Sequence, residues 1–168
     1  MIRTFTGKLV DPWKPTENDI DIRDIAHGLS NLCRYTGQCR EFYSVAQHSY
    51  LVSLSTPLHC ELNGLLHDAA EAYLNDLTHD VKYHDGMEAY RNAEKRLHAV
   101  IYQRFGLAMF YDTGLEQTHA EWTEREKQVL FKGEPNIFEP LLPKQAEMLF
   151  LDRFYELLDR RTLNYNPF

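Results

Sequence analysis

Two histidines and an acid stand at spacings that could hold a divalent metal ion, with a second acid beside them. His67 and Asp68 are adjacent in Leu65-Leu66-His67-Asp68-Ala69-Ala70-Glu71-Ala72-Tyr73, an apolar, alanine-rich stretch free of proline. Such a stretch reads as a helix in need of burial. Burying an imidazole beside a carboxylate is costly unless the two are paired or coordinate a metal. On a helix Glu71 falls three residues from Asp68 and four from His67, so all three share a face. Upstream, His48 sits in the middle of a second apolar stretch, Ser44-Val45-Ala46-Gln47-His48-Ser49-Tyr50-Leu51-Val52. Pro57 ends that helix, and a short link makes the two helices antiparallel neighbours, with His48 facing His67 and Asp68.

Two imidazole nitrogens and one carboxylate oxygen suit Zn, Mn, Fe, Co or Ni, with Mg also admitted, better than Ca. A site of this kind takes a fourth protein ligand and keeps a position open. A divalent ion there polarises a phosphoryl oxygen and acidifies its water. Glu71 and Asp76 could then position that water or take its proton. The plain alternative is a structural His-Asp hydrogen bond in a helical interaction protein. His48 and Glu71 tip the balance toward metal. His27, His59, His79, His84 and His98 read as surface or loop residues.

The elements around this group form one mainly α-helical domain. The chain has 168 residues, 43% hydrophobic and 26% charged, the make-up of a globular protein with a single core. No apolar run approaches the roughly 20 residues of a membrane span, and Met1–Thr6 lacks the apolar core of a signal peptide. Cys33, Cys39 and Cys60 form an odd set without CxxC spacing, which points to reduced thiols in a cytoplasmic setting. A net charge of −7 argues against a nucleic-acid polymer as partner.

In chain order, residues 1–13 read as a small hairpin, and Asp19 or Asp21 can cap a helix running to about Tyr35. The His48 and His67 helices follow, then a loop over Asn75–Asp80. A long helix covers about Met87 to Phe105 and stops at Gly106. Asp112-Thr113 opens a helix that carries His119 and ends near Gly133. Residues 133–143, with Pro135, Pro140 and Pro143, are irregular. A last helix runs from about Lys144 to Arg160, and Asn164–Phe168 frays or docks on a partner subunit.

His48, then His67-Asp68, then Glu71 and Asp76, resembles the HD-domain metal-dependent phosphohydrolases. The likeness is closest to their small single-domain branch in bacteria and phages, the 5′-deoxynucleotidases and deoxynucleoside triphosphohydrolases. It is carried by Ser44-Val45-Ala46-Gln47-His48-Ser49 and His67-Asp68-Ala69-Ala70-Glu71-Ala72-Tyr73, with support from Asp24-Ile25-Ala26, Leu29-Ser30-Asn31-Leu32-Cys33-Arg34-Tyr35 and Arg104-Phe105-Gly106-Leu107. The resemblance implies a compact HD-type bundle of about six helices over residues 1–168, with the small hairpin at its start. It implies His48, His67 and Asp68 as ligands and Glu71 and Asp76 as the acids that orient water and sugar. It further implies Arg34 as a phosphate clamp, Tyr35 as a wall against the sugar and Lys82 as a second phosphate contact. By residue type alone, Arg34 and Lys82 would be surface cations.

The chain departs from that family twice. The family's fourth ligand is an aspartate, and counting onward from Phe105-Gly106-Leu107 places His119 there, with Glu126 at a family glutamate. Either three imidazoles and one carboxylate form the site, or a shifted register brings in Glu121 or Asp112. In addition, Thr78 and Asp80 stand where the family commonly has prolines. The activity implied is hydrolysis of 2′-deoxynucleotides. It either frees triphosphate from deoxynucleoside triphosphates such as dATP or orthophosphate from monophosphates. The protein would be cytoplasmic, in a bacterium or a phage-infected host, and a homo-oligomer, a dimer or larger. A competing expectation is a nucleotide-binding regulator whose metal site His119 has inactivated.

Overall fold

The computed structural model describes residues 1–109, 112–134 and 137–164. Pro135 and the tail beyond Asn164 lie outside the described residues. The fold is mainly helical with a two-stranded antiparallel hairpin at its start, β1 (Ile2–Arg3) against β2 (Leu9–Val10), pairing Ile2 with Val10. Gly7, at φ 92°, makes the turn. The Asp24 carboxylate accepts the Thr6 amide at 2.7 Å and its hydroxyl at 2.8 Å, fastening the hairpin to the first helix.

That helix, α1 (Ile22–Asn31), starts where the Asp21 side chain accepts the Arg23 amide. It ends four residues before Tyr35, earlier than the sequence predicts. Leu32–Arg34 is extended and bonds to the segment entering the next helix, with the Arg34 amide donating to Tyr43 O and the Val45 amide to Leu32 O. The turn that follows holds Tyr35, Thr36 and Gly37 at φ 56°, 53° and 73°. Left-handed backbone is uphill for side chains other than glycine, so this turn stores strain beside the site.

The central element is α2 (Val45–Ser55), capped by Ser44 and buried at Val45, Ala46, Gln47, His48, Ser49, Val52 and Ser53. It packs against α1, α3 (Glu61–Leu66), α7 (Thr113–Lys127) and α8 (Pro143–Asn164). A helix enclosed on so many sides must satisfy its polar groups internally. Accordingly, Gln47 donates to Glu139 O and accepts from the Leu141 amide. The main core joins Ile25, Leu29, Val45, Leu65, Leu66, Leu97, Ile101, Phe150 and Phe154.

The stretch Leu65–Tyr73 is not one helix. After α3, i→i+3 bonds take over (Ala69 to Leu66, Glu71 to Asp68, Tyr73 to Ala70), and α4 is the single turn Glu71–Leu74. The Gly64 carbonyl instead accepts His67 Nδ1–H at 2.7 Å, a side chain competing for a group the helical ladder would use. Gly28 lets α1 approach α4, since a Cβ there would lie 3.0 Å from Ala72 Cβ. The expected loop ends early: His79–Lys82 forms a turn, α5, before α6 (Glu88–Arg104). Pro143 opens α8, where its missing N–H is harmless.

Candidate metal centre and substrate cleft

His48, His67, Asp68 and His119 come together from α2, the end of α3 and α7. One ligand atom from each lies within 4.8 Å of all the others. Between the two imidazoles, His48 Nε2 and His67 Nε2 are 3.2 Å apart. Asp68 Oδ2 is 3.2 Å from His67 Nε2 and 3.7 Å from His48 Nε2. The His119 ring sits 5.1 Å from that of His48 and 4.9 Å from that of His67, centre to centre. Asp112 and Glu121, the alternatives to His119, lie elsewhere: Asp112 caps α7 and Glu121 accepts from Gln117 on its outer face.

The outer nitrogens decide the tautomers. A carbonyl only accepts, so the 2.7 Å contact puts a hydrogen on His67 Nδ1. His48 Nδ1 lies 2.5 Å from Glu126 Oε1. Although burial raises the Glu126 carboxyl, the neighbouring His48 and Arg34 and its hydrogen bonds pull it down to about 2. As a carboxylate it accepts, so His48 Nδ1 carries the hydrogen. In their neutral forms both Nε2 atoms are then bare lone pairs, aimed at each other and at a carboxylate. Burial, and then the charge on His67, holds the His119 imidazole down at about 3. Burial also lowers the His48 imidazole, whereas Asp68 outweighs burial and raises that of His67. One proton on His67 relieves one lone pair and leaves two. A divalent cation would serve all three nitrogens and the carboxylate together. The 3.2 Å separations are close to the edge, about 3.3 Å, of a tetrahedron with bonds near 2.0 Å, so the residues fit such an ion.

Glu126 is fully buried and gathers several donors. Tyr35 and Tyr43 donate their hydroxyls at 2.7 and 2.8 Å, and Arg34 Nε lies 3.2 Å away. Sequence reasoning placed Glu126 by counting but gave it no role. The available signal was its position seven residues after His119, two turns along the same face of α7. Tyr43 belongs to the resembling stretch of residues 42–49 but was given no role.

Beside the ligands opens a cleft of about 620 Å³, lined among others by Arg34, Tyr35, Asp68, Glu71, Asp76 and Lys82, a size that accepts a nucleotide. Arg34 is buried, its Nη1 3.5 Å from Asp68 Oδ2 and its charge held by Glu126 and Asp68. Tyr35 presents its ring over the strained turn, 5.2 Å from the Arg34 guanidinium. Glu71 is buried with Oε2 unpartnered among the described residues, and burial together with Asp68 and Asp76 pushes its carboxyl well above the usual range. Asp76, half-buried, is raised by burial against the pull of Arg34. The Lys82 ammonium reaches the cleft wall while donating to Glu94 at 2.6 Å. Thr123 and Lys127, one and two turns beyond His119, also line it. They carried no motif, so the sequence did not single them out.

Two histidines depart from their expected place: His27 is half-buried within α1, stacked on Phe5 and 3.2 Å from Glu147. His98 is half-buried against Tyr102, its ring centre 4.1 Å away, and burial takes its imidazole down to about 4. His59 does lie at the surface, paired with Asp112. Among the described residues no helix is long and apolar enough to cross a membrane.

No family model matches the chain. It is 34% identical over 175 residues to an uncharacterized protein, YfdR, of Escherichia coli (strain K12), an alignment covering 95% of this chain and 97% of that one. It is 41% identical over 114 residues to an uncharacterized protein of Rhodobacter capsulatus, covering 62% of this chain and 58% of the relative.

Proposed function

The chain belongs to the family of Escherichia coli YfdR, and from its site we propose that it is a divalent-metal-dependent phosphohydrolase of 2′-deoxynucleotides. The observation that carries this reading is the pair of bare Nε2 atoms 3.2 Å apart, with Asp68 and His119 completing the ring around one point. The motif resemblance to HD-domain phosphohydrolases supplies the reaction class. His48, His67, Asp68 and His119 would hold the ion; Co, Mn, Zn, Fe or Ni suits the donor set, and Mg, which prefers oxygen, suits it least. When bound, such an ion supplies Lewis acidity toward a phosphoryl oxygen and acidifies a water.

The chain's own groups do the rest. Glu126 and the Gly64 carbonyl hold the His48 and His67 rings with Nε2 inward. The Arg34 guanidinium offers its remaining N–H groups to phosphoryl oxygens, and Lys82 adds a second cation. Tyr35 walls the sugar. Glu71 Oε2 has no partner and a raised proton affinity, so it is the atom placed to exchange a proton with the reacting water or leaving oxygen. The favoured reaction releases triphosphate from deoxynucleoside triphosphates, dATP among them; 5′-deoxynucleotidase action on monophosphates is the alternative. The setting would be the cytoplasm and the assembly a homo-oligomer.

The test is a screen of deoxy- and ribonucleotides at each phosphorylation level with Mn, Co, Zn and Mg in turn, identifying the products. Triphosphate release supports the first reaction and orthophosphate the second. Nucleotide binding without turnover under every metal would overturn the enzyme reading and leave a regulator.

A further inference from the structure

A second group of metal-binding side chains stands apart from the His48 centre, and it contains sulfur. His59 and Cys60 end the short 3₁₀ turn before α3, and Asp112 is the residue that caps α7. A nitrogen, a sulfur and an oxygen from the three lie within 4.8 Å of one another. His59 Nε2 and Asp112 Oδ2 are 3.3 Å apart, the edge of a tetrahedron with bonds near 2.0 Å, about 3.3 Å. Asp112 Oδ1 is engaged by the Leu115 amide at 2.9 Å, so Oδ2, already facing His59, is the oxygen turned toward the group. Cys60 is fully buried, whereas the His59 side chain is 69% exposed. The set thus has a dry sulfur side and a wet side where water can complete four-coordination. The two segments touch closely: a Cβ on Gly114 would lie 3.1 Å from both Asp112 Oδ1 and Pro57 Cγ.

We propose that His59, Cys60 and Asp112 hold a zinc ion, with water in its fourth position, that clips the start of α3 to the start of α7. A thiolate, an imidazole and a carboxylate suit zinc, while the sulfur-free His48 centre also accepts harder ions such as manganese. Coordination releases the Cys60 thiol proton to solvent, so the site gains a thiolate and no electrons move. The clip also has a place in the fold's logic. His67 lies seven residues after Cys60, and His119 seven after Asp112. Fixing the two starting points fixes the spacing of the segments that deliver His67, Asp68 and His119. The clip rests on its own geometry and does not depend on the reaction catalysed.

Cobalt(II) titration of the full chain reads the clip selectively, because the His48 centre holds no sulfur. The expected result is a near-ultraviolet thiolate-to-cobalt charge-transfer band in the wild type and in the Cys33→Ser/Cys39→Ser double variant. Cys60→Ser loses the band while keeping the visible d–d absorption of the His48 centre. His59→Ala, altered at a mostly exposed side chain, weakens cobalt binding at the clip at least about tenfold, and it decides alone if Cys60→Ser does not fold. Absence of a thiolate band in the wild type at saturating cobalt would overturn the clip. So would an unchanged band in Cys60→Ser, or unchanged affinity in His59→Ala.

Discussion

Two buried glutamates beside the candidate metal centre have opposite surroundings. Glu126 receives His48, Tyr35 and Tyr43 and faces Arg34, and its carboxyl is pulled down to about 2. Glu71 has an unpartnered oxygen and two acids for neighbours, and its carboxyl is pushed well up. One fold does both within a few residues of the same ligands. The difference separates two tasks. On the α2–α7 side His48, Tyr35 and Tyr43 all find their acceptor in Glu126, which fixes the His48 ring with its lone pair inward. On the cleft side donors and acceptors are left over, which is the condition of a surface that expects a ligand.

If that division holds, the two glutamates respond to mutation with opposite signs. Glu71→Gln is expected to lower kcat by about 10²- to 10⁴-fold, the usual loss for a removed general acid–base. It should also raise stability at neutral pH. A carboxyl whose folded affinity for protons exceeds its unfolded one weakens the fold as pH climbs past the ordinary value of 4.5, and the amide does not titrate. Urea denaturation at pH 7 beside steady-state kinetics checks both halves. A stability loss with kinetics intact would erase the contrast.

Glu126→Ala should act the other way, destabilising by about 3–5 kcal/mol because Arg34 is left buried with less of its counter-charge. Metal affinity should fall about 10- to 100-fold as His48 loses its orienting acceptor. Calorimetric metal titration and urea unfolding read these separately. The pH dependence sharpens the point. The stability Glu126 contributes is full above 4.5 and is lost as pH falls toward about 2. Glu126→Gln should flatten the wild-type decline across that acid window. The smallest effect belongs to the strained turn: Thr36→Gly should raise the unfolding free energy by up to about 1 kcal/mol, measured by the same denaturation.

The helical character and the grouping of His48 with His67-Asp68 were legible because they depend on local pattern. His48 and His67-Asp68 stand out as polar groups in apolar stretches, whereas His119 is reached only by counting along the family resemblance. What the sequence hid was set by competition at longer range. The Leu65–Tyr73 stretch has the propensity for one helix, yet the His67 ring takes the Gly64 carbonyl and the bonding tightens to i→i+3. The helix expected to reach Tyr35 stops at Asn31 because Leu32–Arg34 finds partners beside α2. Glu126 is an ordinary-looking residue in a charged run, Thr123-Glu124-Arg125-Glu126-Lys127. Only the fold reveals that one of these faces inward to four donors.

The central claim is that His48, His67, Asp68 and His119 surround one divalent cation. Anomalous diffraction from crystals of the chain grown with manganese tests it most directly. The account predicts a single strong peak among these side chains, about 2 Å from an imidazole nitrogen of each histidine and from an Asp68 oxygen. Density with no such peak at saturating manganese, or with the three rings turned so that their nitrogens do not converge, would contradict it.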